Sequence, residues 1–397
     1  MTISKPLYDP SDESLDAAIE LLTSIEPTDV GITSCYLDID SPINDSLGEI
    51  QAEALRIGAE LDATARHELD DAMTRIRAAV LEARETETRG LAIFSRSVIG
   101  GRFWEVIPST LPFRNQLTYY RVPDVRPLLS LRDVSNEQFV VWSTTDGVEL
   151  LRLRGGASRT LAWMAESQMQ RPENEALESP VLKPIVGIRH QRTGRLARNT
   201  LSRLLRPVKS LQLIIAGDPE RLQRLGDWLP RNLLSSVKQK IALSPYLARH
   251  KALKQIADQT ASGVRDAVDA FASTCLRVPY LRGSSVAGVH KTLTALCARS
   301  LDLLLISSGN HSLSRLQLSA SKLKRIGWDV QQQGSKRNTG FWHTGIEFSR
   351  LACQQQIPVL VTHNDHEVIK DGVGGVVLNQ DIKAAEVCRP LLGVGDR

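Results

Sequence analysis

Eight basic side chains and no acidic one lie between residues 179 and 217: Lys183, Arg189, Arg192, Arg195, Arg198, Arg203, Arg206 and Lys209, with His190 among them. Each guanidinium offers a planar fork of donors that matches phosphate oxygens. The chemistry open to this run is therefore phosphate binding, with nucleic acid as the first partner to consider. The arginines recur at helical spacing, at 192, 195 and 198 and again at 203 and 206, while Leu196, Leu201, Leu204, Leu205 and Val208 fill the gaps. Such a segment turns an apolar face to a core and an arginine face outward. On charge alone a solvated helix face accounts for the pattern about as well, although soluble surfaces tend to mix both signs. His190 opens a second chemistry: like charge around it favours the neutral imidazole, which can act as a general base.

Other chemistry-bearing patterns are incomplete. Gly283 and Gly288 have the spacing of a phosphate loop, but Val289 and His290 stand where Lys and Ser/Thr are needed, so no cation would meet the terminal phosphates. Gly372-Val373-Gly374-Gly375 has half a dinucleotide fingerprint, yet a strand is expected after it rather than a helix. A tight turn fits better. No G-x-S-x-G occurs, which weakens a serine hydrolase. His363 and His366, with Asp365 and Glu367, lack H-E-x-x-H spacing and imply no third ligand. A polar loop is the preferred reading, and neither metal nor cofactor is expected. Trp104, Trp142, Trp228 and Trp342 are scattered, as core or strand-edge residues would be.

The elements that must position the basic run follow from periodicity. At roughly 100–200 residues per domain, 397 residues suggest two to four domains. A helix is expected within residues 1–30, on Leu15, Ile19 and Leu22, and a strand at 32–39. One long helix is expected over 47–87, where Leu69, Met73, Ile76 and Val80 form a stripe. Strands follow at 91–95 and 103–107, and Pro123 and Pro127 interrupt regular structure. Residues 139–143 and 148–153 read as a hairpin across Asp146-Gly147. An irregular loop at 166–185 leads to the arginine-rich helix, then to an apolar strand at 211–216 and helices at 219–225 and 253–273. The last third reads as a helix at 286–298 and strands at 301–306, 358–361 and 375–378, with a weaker basic cluster at Lys322, Lys324, Arg325, Lys336 and Arg337. Alternation of strands and helices throughout argues for α/β layers.

Charge is unevenly spread. Residues 1–50 hold eleven acids and one base, Lys5, a net of −10 that leaves +14 on the rest of a chain whose total is +4. The five cysteines, Cys35, Cys275, Cys297, Cys353 and Cys388, are widely spaced with no C-x-x-C, as reduced thiols in a cytoplasmic protein would be. The polar, acidic start does not read as a signal peptide, and no apolar run is long enough to cross a membrane.

The order of these segments resembles that in the bacterial relatives of the archaeal and eukaryotic class-one peptide-chain release factor and of the ribosome-rescue factor Pelota. The resemblance runs over about residues 30–380 in three matches. The first is the strand-helix-strand region with Gly90-Leu91-Ala92-Ile93-Phe94-Ser95. The second is Arg126-Pro127-Leu128-Leu129, then Phe139-Val140-Val141 and Asp146-Gly147-Val148. The third is Gly288 to Leu296 followed by 301–306. It implies three consecutive domains of α/β (α+β) type, each with a mixed sheet: 1–125 with the acidic front, 126–262 with the basic loop and helix, and 263–397.

In such release factors the central domain presents Gly-Gly-Gln, whose glutamine helps water attack the ester of peptidyl-tRNA. The matching stretch here is Arg189-His190-Gln191-Arg192-Thr193-Gly194-Arg195-Leu196-Ala197, so Thr193 replaces the first glycine and Arg195 the glutamine. The resemblance thus implies a non-catalytic ribosome binder docking near the A site. Arg189, His190, Arg192, Thr193, Gly194, Arg195, Arg198 and Arg203 would face ribosomal RNA or the tRNA acceptor end. The role implied is protection or rescue of idle or stalled ribosomes, as in hibernation or stress, with elongation factor Tu as a partner in some bacterial members. The alternative is a peptidyl-tRNA hydrolase or RNA-cleaving enzyme using His190. An ordinary interaction module, with acids of residues 1–50 pairing Arg192, Arg195 and Arg198, is the third reading.

Overall fold

The computed structural model describes residues 12–28, 30–84, 88–96, 102–165, 199, 201–205, 212–229, 231–277, 285–308, 343–363 and 372–377. The chain is of mixed α/β class and forms three sheets. Each sheet takes its strands from one continuous stretch, 32–120, 138–242 or 285–377. Two compact units are formed: residues 1–134 with 264–388, and residues 135–263 with 389–397. Among the described residues no helix is long and apolar enough to cross a membrane.

The first unit opens with α1 (Asp12–Ser24), β1 (Ile32–Asp38), α2 (Ile43–Gly58) and α3 (Ala63–Ala83), then β2 (Gly90–Arg96), β3 (Phe103–Ser109) and β4 (Gln116–Tyr120). The strands form an antiparallel sheet in the order β3-β2-β1-β4. Strand alternation sends Cys35 and Leu37 to the core shared with Ile50, Leu69, Met73, Ile76 and Val80 of α2 and α3. Tyr36 goes to the opposite face, where it meets Phe94 and Phe113 edge-on. The single helix expected over 47–87 is two helices. Asp62 starts the second by accepting the Ala65 N–H at 2.8 Å, a side-chain cap that separates the two rods and leaves the stripe Leu69 to Val80 whole on the second.

Helix α4 (Arg126–Val134) forms where prolines were expected to interrupt structure. Pro127 sits in its first turn, where a missing N–H removes no helical bond. The sheet at 285–377 has the order β10-β13-β11-β12, from β10 (Ser285–Ala287), β11 (Leu301–Ser307), β12 (Val359–Thr362) and β13 (Val373–Val377). Only β11 and β12 are parallel. The helix expected at 286–298 is strand β10 followed by a helix at Val289–Cys297, separated by Gly288 at φ 86°. Of the glycines at 372–375, Gly372 has φ 67° and immediately precedes β13, whereas Gly374 and Gly375 lie inside it.

The second unit has the sheet order β7-β6-β5-β8-β9, from β5 (Gln138–Ser143), β6 (Gly147–Arg154), β7 (Ala157–Ala165), β8 (Leu213–Gly217) and β9 (Val237–Ala242). The expected hairpin is β5–β6, closed by the Thr144 N–H to Gly147 C=O bond at 2.8 Å. β5, β8 and β9 run parallel. In chain order α5 (Pro219–Trp228), α6 (Arg231–Leu234) and α7 (Arg249–Arg277) follow β8, then α8 (Val289–Cys297) and α9 (Thr344–Gln354) in the last third.

Candidate functional site

The arginine-rich segment meets the second unit through its leucines. Residues 201–205 are helical, with Leu201 and Leu205 buried in the core of Phe139, Val141, Leu150, Leu213 and Ile215, and Leu204 packed against it. Arg203 is exposed on the opposite side. This stretch has the amphipathic arrangement its spacing predicts. Arg189, His190, Arg192, Thr193, Gly194, Arg195 and Arg198 lie outside the described residues, as do the expected loop at 166–185 and the cluster at 322–337.

A second basic stretch belongs to the same unit. From Leu229 to Ala257 there is no acidic residue, while Arg231, Lys238, Lys240, Arg249, Lys251 and Lys254 supply six bases, beside His250. The signal is of the kind that marks 179–217, and counting charge in windows finds it. Arg249 is already used inside the unit. Its guanidinium donates to both carboxylate oxygens of buried Glu149, at 2.5 and 2.6 Å, and lies over the Trp142 ring. Thr160 donates to the same carboxylate at 2.5 Å. Arg231, Lys238, Lys240, His250 and Lys251 are exposed and make no ion pair among the described residues.

The first unit carries buried polar clusters of a different kind. Arg126 donates to both oxygens of fully buried Asp124, at 2.9 and 2.7 Å. Burial opposes the carboxylate's charge, but Arg126 prevails and holds Asp124 below its usual range. Buried Glu347 on α9 accepts from Arg121 and from Tyr120, and Arg350 joins it at 3.3 Å. Each charge is matched where it lies, as a framework requires.

Along the outer edge of β12 the pairing has a clear purpose. Arg132 of α4 donates to the Val359 C=O at 3.3 Å, and the Val361 N–H bonds to Asp133. The His363 N–H donates to Asp269 of α7 at 2.8 Å, and the His363 ring Nε2 lies 2.9 Å from the Ser130 Oγ. Residues 359, 361 and 363 face away from β11, so these side chains satisfy an edge that would otherwise be open. Burial and Arg265 keep the His363 imidazole toward its neutral form. The Ser130–His363 pair is not a triad, because Asp269 holds the backbone and not the ring.

His366, Asp365 and Glu367 lie outside the described residues, among which no group of three or more His, Cys, Asp or Glu could hold a metal. A half-open cleft of about 370 Å³ has Arg299, Asp302, Gln354, Gln355, Gln356 and Pro358 on its walls. It opens at the amino ends of β11 and β12, opposite the carboxyl ends where open parallel sheets bind ligands.

A scan against family models finds no match for this chain, and a search of curated proteins finds none either. Among solved structures it is similar to an archaeal translation termination factor, at 17% identity over 93% of this chain and 98% of that one, with a TM-score of 0.25. It is also similar to Pelota from Archaeoglobus fulgidus, at 13% identity over 72% and 79%, TM-score 0.35. A third is Dom34 from S. cerevisiae, a translation termination-like factor that interacts with Hbs1, at 7% identity over 72% and 80%, TM-score 0.32. Likeness at this level carries no function, which is read from the residues of this chain.

Proposed function

We propose that this chain is a ribosome-binding translation factor of the release-factor and Pelota-like kind, one that occupies the A site and protects or rescues idle or stalled ribosomes without releasing the peptide. The observation that carries the reading is the acid-free basic segment 179–217, anchored by Leu201 and Leu205 with Arg203 turned outward. Arg189 to Arg198 would then meet ribosomal RNA or the tRNA acceptor end, in a cytoplasmic protein whose three segments, 1–125, 126–262 and 263–397, act as domains. Elongation factor Tu is the partner proposed for delivery.

Chemistry argues against release. Thr193-Gly194-Arg195 stands where Gly-Gly-Gln would be, and a guanidinium binds phosphate but has no amide carbonyl with which to orient water. The direct test is peptidyl-tRNA hydrolysis on ribosome complexes. The account expects no turnover above background and expects occupancy of the A site to block tRNA entry. Turnover that is lost in His190→Ala would replace it with the enzymatic reading, in which neutral His190 is a general base.

A further inference from the structure

Outside residues 179–217, residues 135–263 hold 12 basic and 11 acidic side chains, but the bases are unevenly placed: residues 229–257 hold six of them and no acid. Part of that run lies on a sheet edge. β9 is the last strand of its sheet, and Lys238 and Lys240 are exposed along it. The first half of α7 returns beside the strand: the Gln239 side chain donates to the Gln259 C=O at 3.0 Å, and Gln255 reaches the Ala242 C=O at 3.5 Å. Between them Leu243 is buried, and a turn at 244–247 is closed by the Leu247 N–H to Ser244 C=O bond at 3.1 Å. Pro245 occupies the second position of that turn, where its fixed φ stiffens the backbone. Tyr246 occupies the third and is 95% exposed. His250 and Lys251 follow in the first turn of α7, which contains no acid.

Guarding a sheet edge against pairing would explain Lys238 and Lys240. It does not explain a tyrosine held into water on a stiff turn, nor cations at the positive end of a long helix, where they are disfavoured. Both features suit a ligand with a phosphate backbone and flat bases. Single-stranded RNA combines the two, with lysines tracking the backbone and an aromatic ring taking a base. An acidic polypeptide would answer the charge alone.

We propose that β9, the loop 243–248 and the start of α7 form an RNA-binding surface, with Lys238, Lys240 and Lys251 holding phosphates and Tyr246 stacking on a base. It does not rest on residues 189–203 and does not require the ribosome.

The test is fluorescence anisotropy of a labelled dodecameric oligouridylate with the full chain across a potassium chloride series. A Lys238→Glu/Lys240→Glu/Lys251→Glu variant with unchanged circular dichroism should lose binding more than about tenfold, with a salt slope shallower by about 2. Tyr246→Ala should weaken binding roughly tenfold and leave the slope alone. No binding by the wild type at low salt, or wild-type binding by the lysine variant, overturns the proposal. Unchanged binding by Tyr246→Ala overturns the RNA assignment and leaves an acidic polypeptide as the partner. Loss confined to Arg192/Arg195/Arg198→Ala removes this surface while leaving the proposed ribosomal role intact.

Discussion

Burial raises the carboxyls of both Asp124 and Asp133, and the partner beside each decides the net direction. Asp124 is buried against Arg126, so removing the guanidinium strands a carboxylate out of water. Arg126→Ala should cost about 3–5 kcal/mol, read from urea unfolding at neutral pH. Because the folded Asp124 carboxyl is held below its ordinary value of 3.8, its stabilisation is present above that value and lost as pH falls through the folded one. Asp133 behaves the other way. Burial raises its carboxyl to about 7, against the pull of Arg132 and the Val361 N–H, so the folded state binds this proton more readily than the unfolded chain. Its contribution to stability therefore declines from about pH 4 to pH 7. Asp133→Asn keeps an acceptor for the N–H and carries no charge. Thermal unfolding should show the variant more stable than the wild type at pH 8, with the gap closing toward pH 4. A gap that widens on acidification would contradict the assignment.

At the scale of elements, the edge of β12 and the interior of β13 give the sharpest tests. The His363 N–H points out of the sheet and is met by Asp269, so Asp269→Ala leaves a half-buried donor unmatched and should cost about 1–3 kcal/mol. Asp269→Asn, which keeps an oxygen in place, should cost much less. In β13 a Cβ at Gly375 would stand 2.8 Å from the Leu303 carbonyl oxygen on β11, a backbone atom that cannot step aside. Gly375→Ala should destabilise the protein by about 1–3 kcal/mol, and equal urea midpoints for variant and wild type would refute that crowding.

The elements most legible in the sequence were those buried on both faces. β8 and β11 read directly as apolar runs, β1 reads as a strand at 32–39, and Asp146-Gly147 marks the hairpin. α4 was hidden because Pro123 and Pro127 signal interruption until the second is seen to occupy a first helical turn. β9 was hidden because an edge strand of sequence VKQKIA carries little apolar alternation. The candidate site was legible as charge, since acid-free runs survive any fold. Which bases are spent internally was not: nothing near Arg249 in sequence marks Glu149, a hundred positions away, as its partner.

Over the whole molecule, charge and function meet. Residues 1–50 carry −10 and residues 135–263 carry +9, so a total of +4 conceals two opposed regions. A basic region of this size suits a partner whose backbone repeats negative charge, and its affinity must fall with salt as counterions cease to be released. The most direct measurement is co-sedimentation of the purified chain with 70S ribosomes across a salt series, beside Arg192→Ala/Arg195→Ala/Arg198→Ala. The account predicts binding that weakens steeply as salt rises and is lost in the triple variant at moderate salt. No co-sedimentation with empty or stalled ribosomes at low salt, or equal binding by the variant, would contradict it.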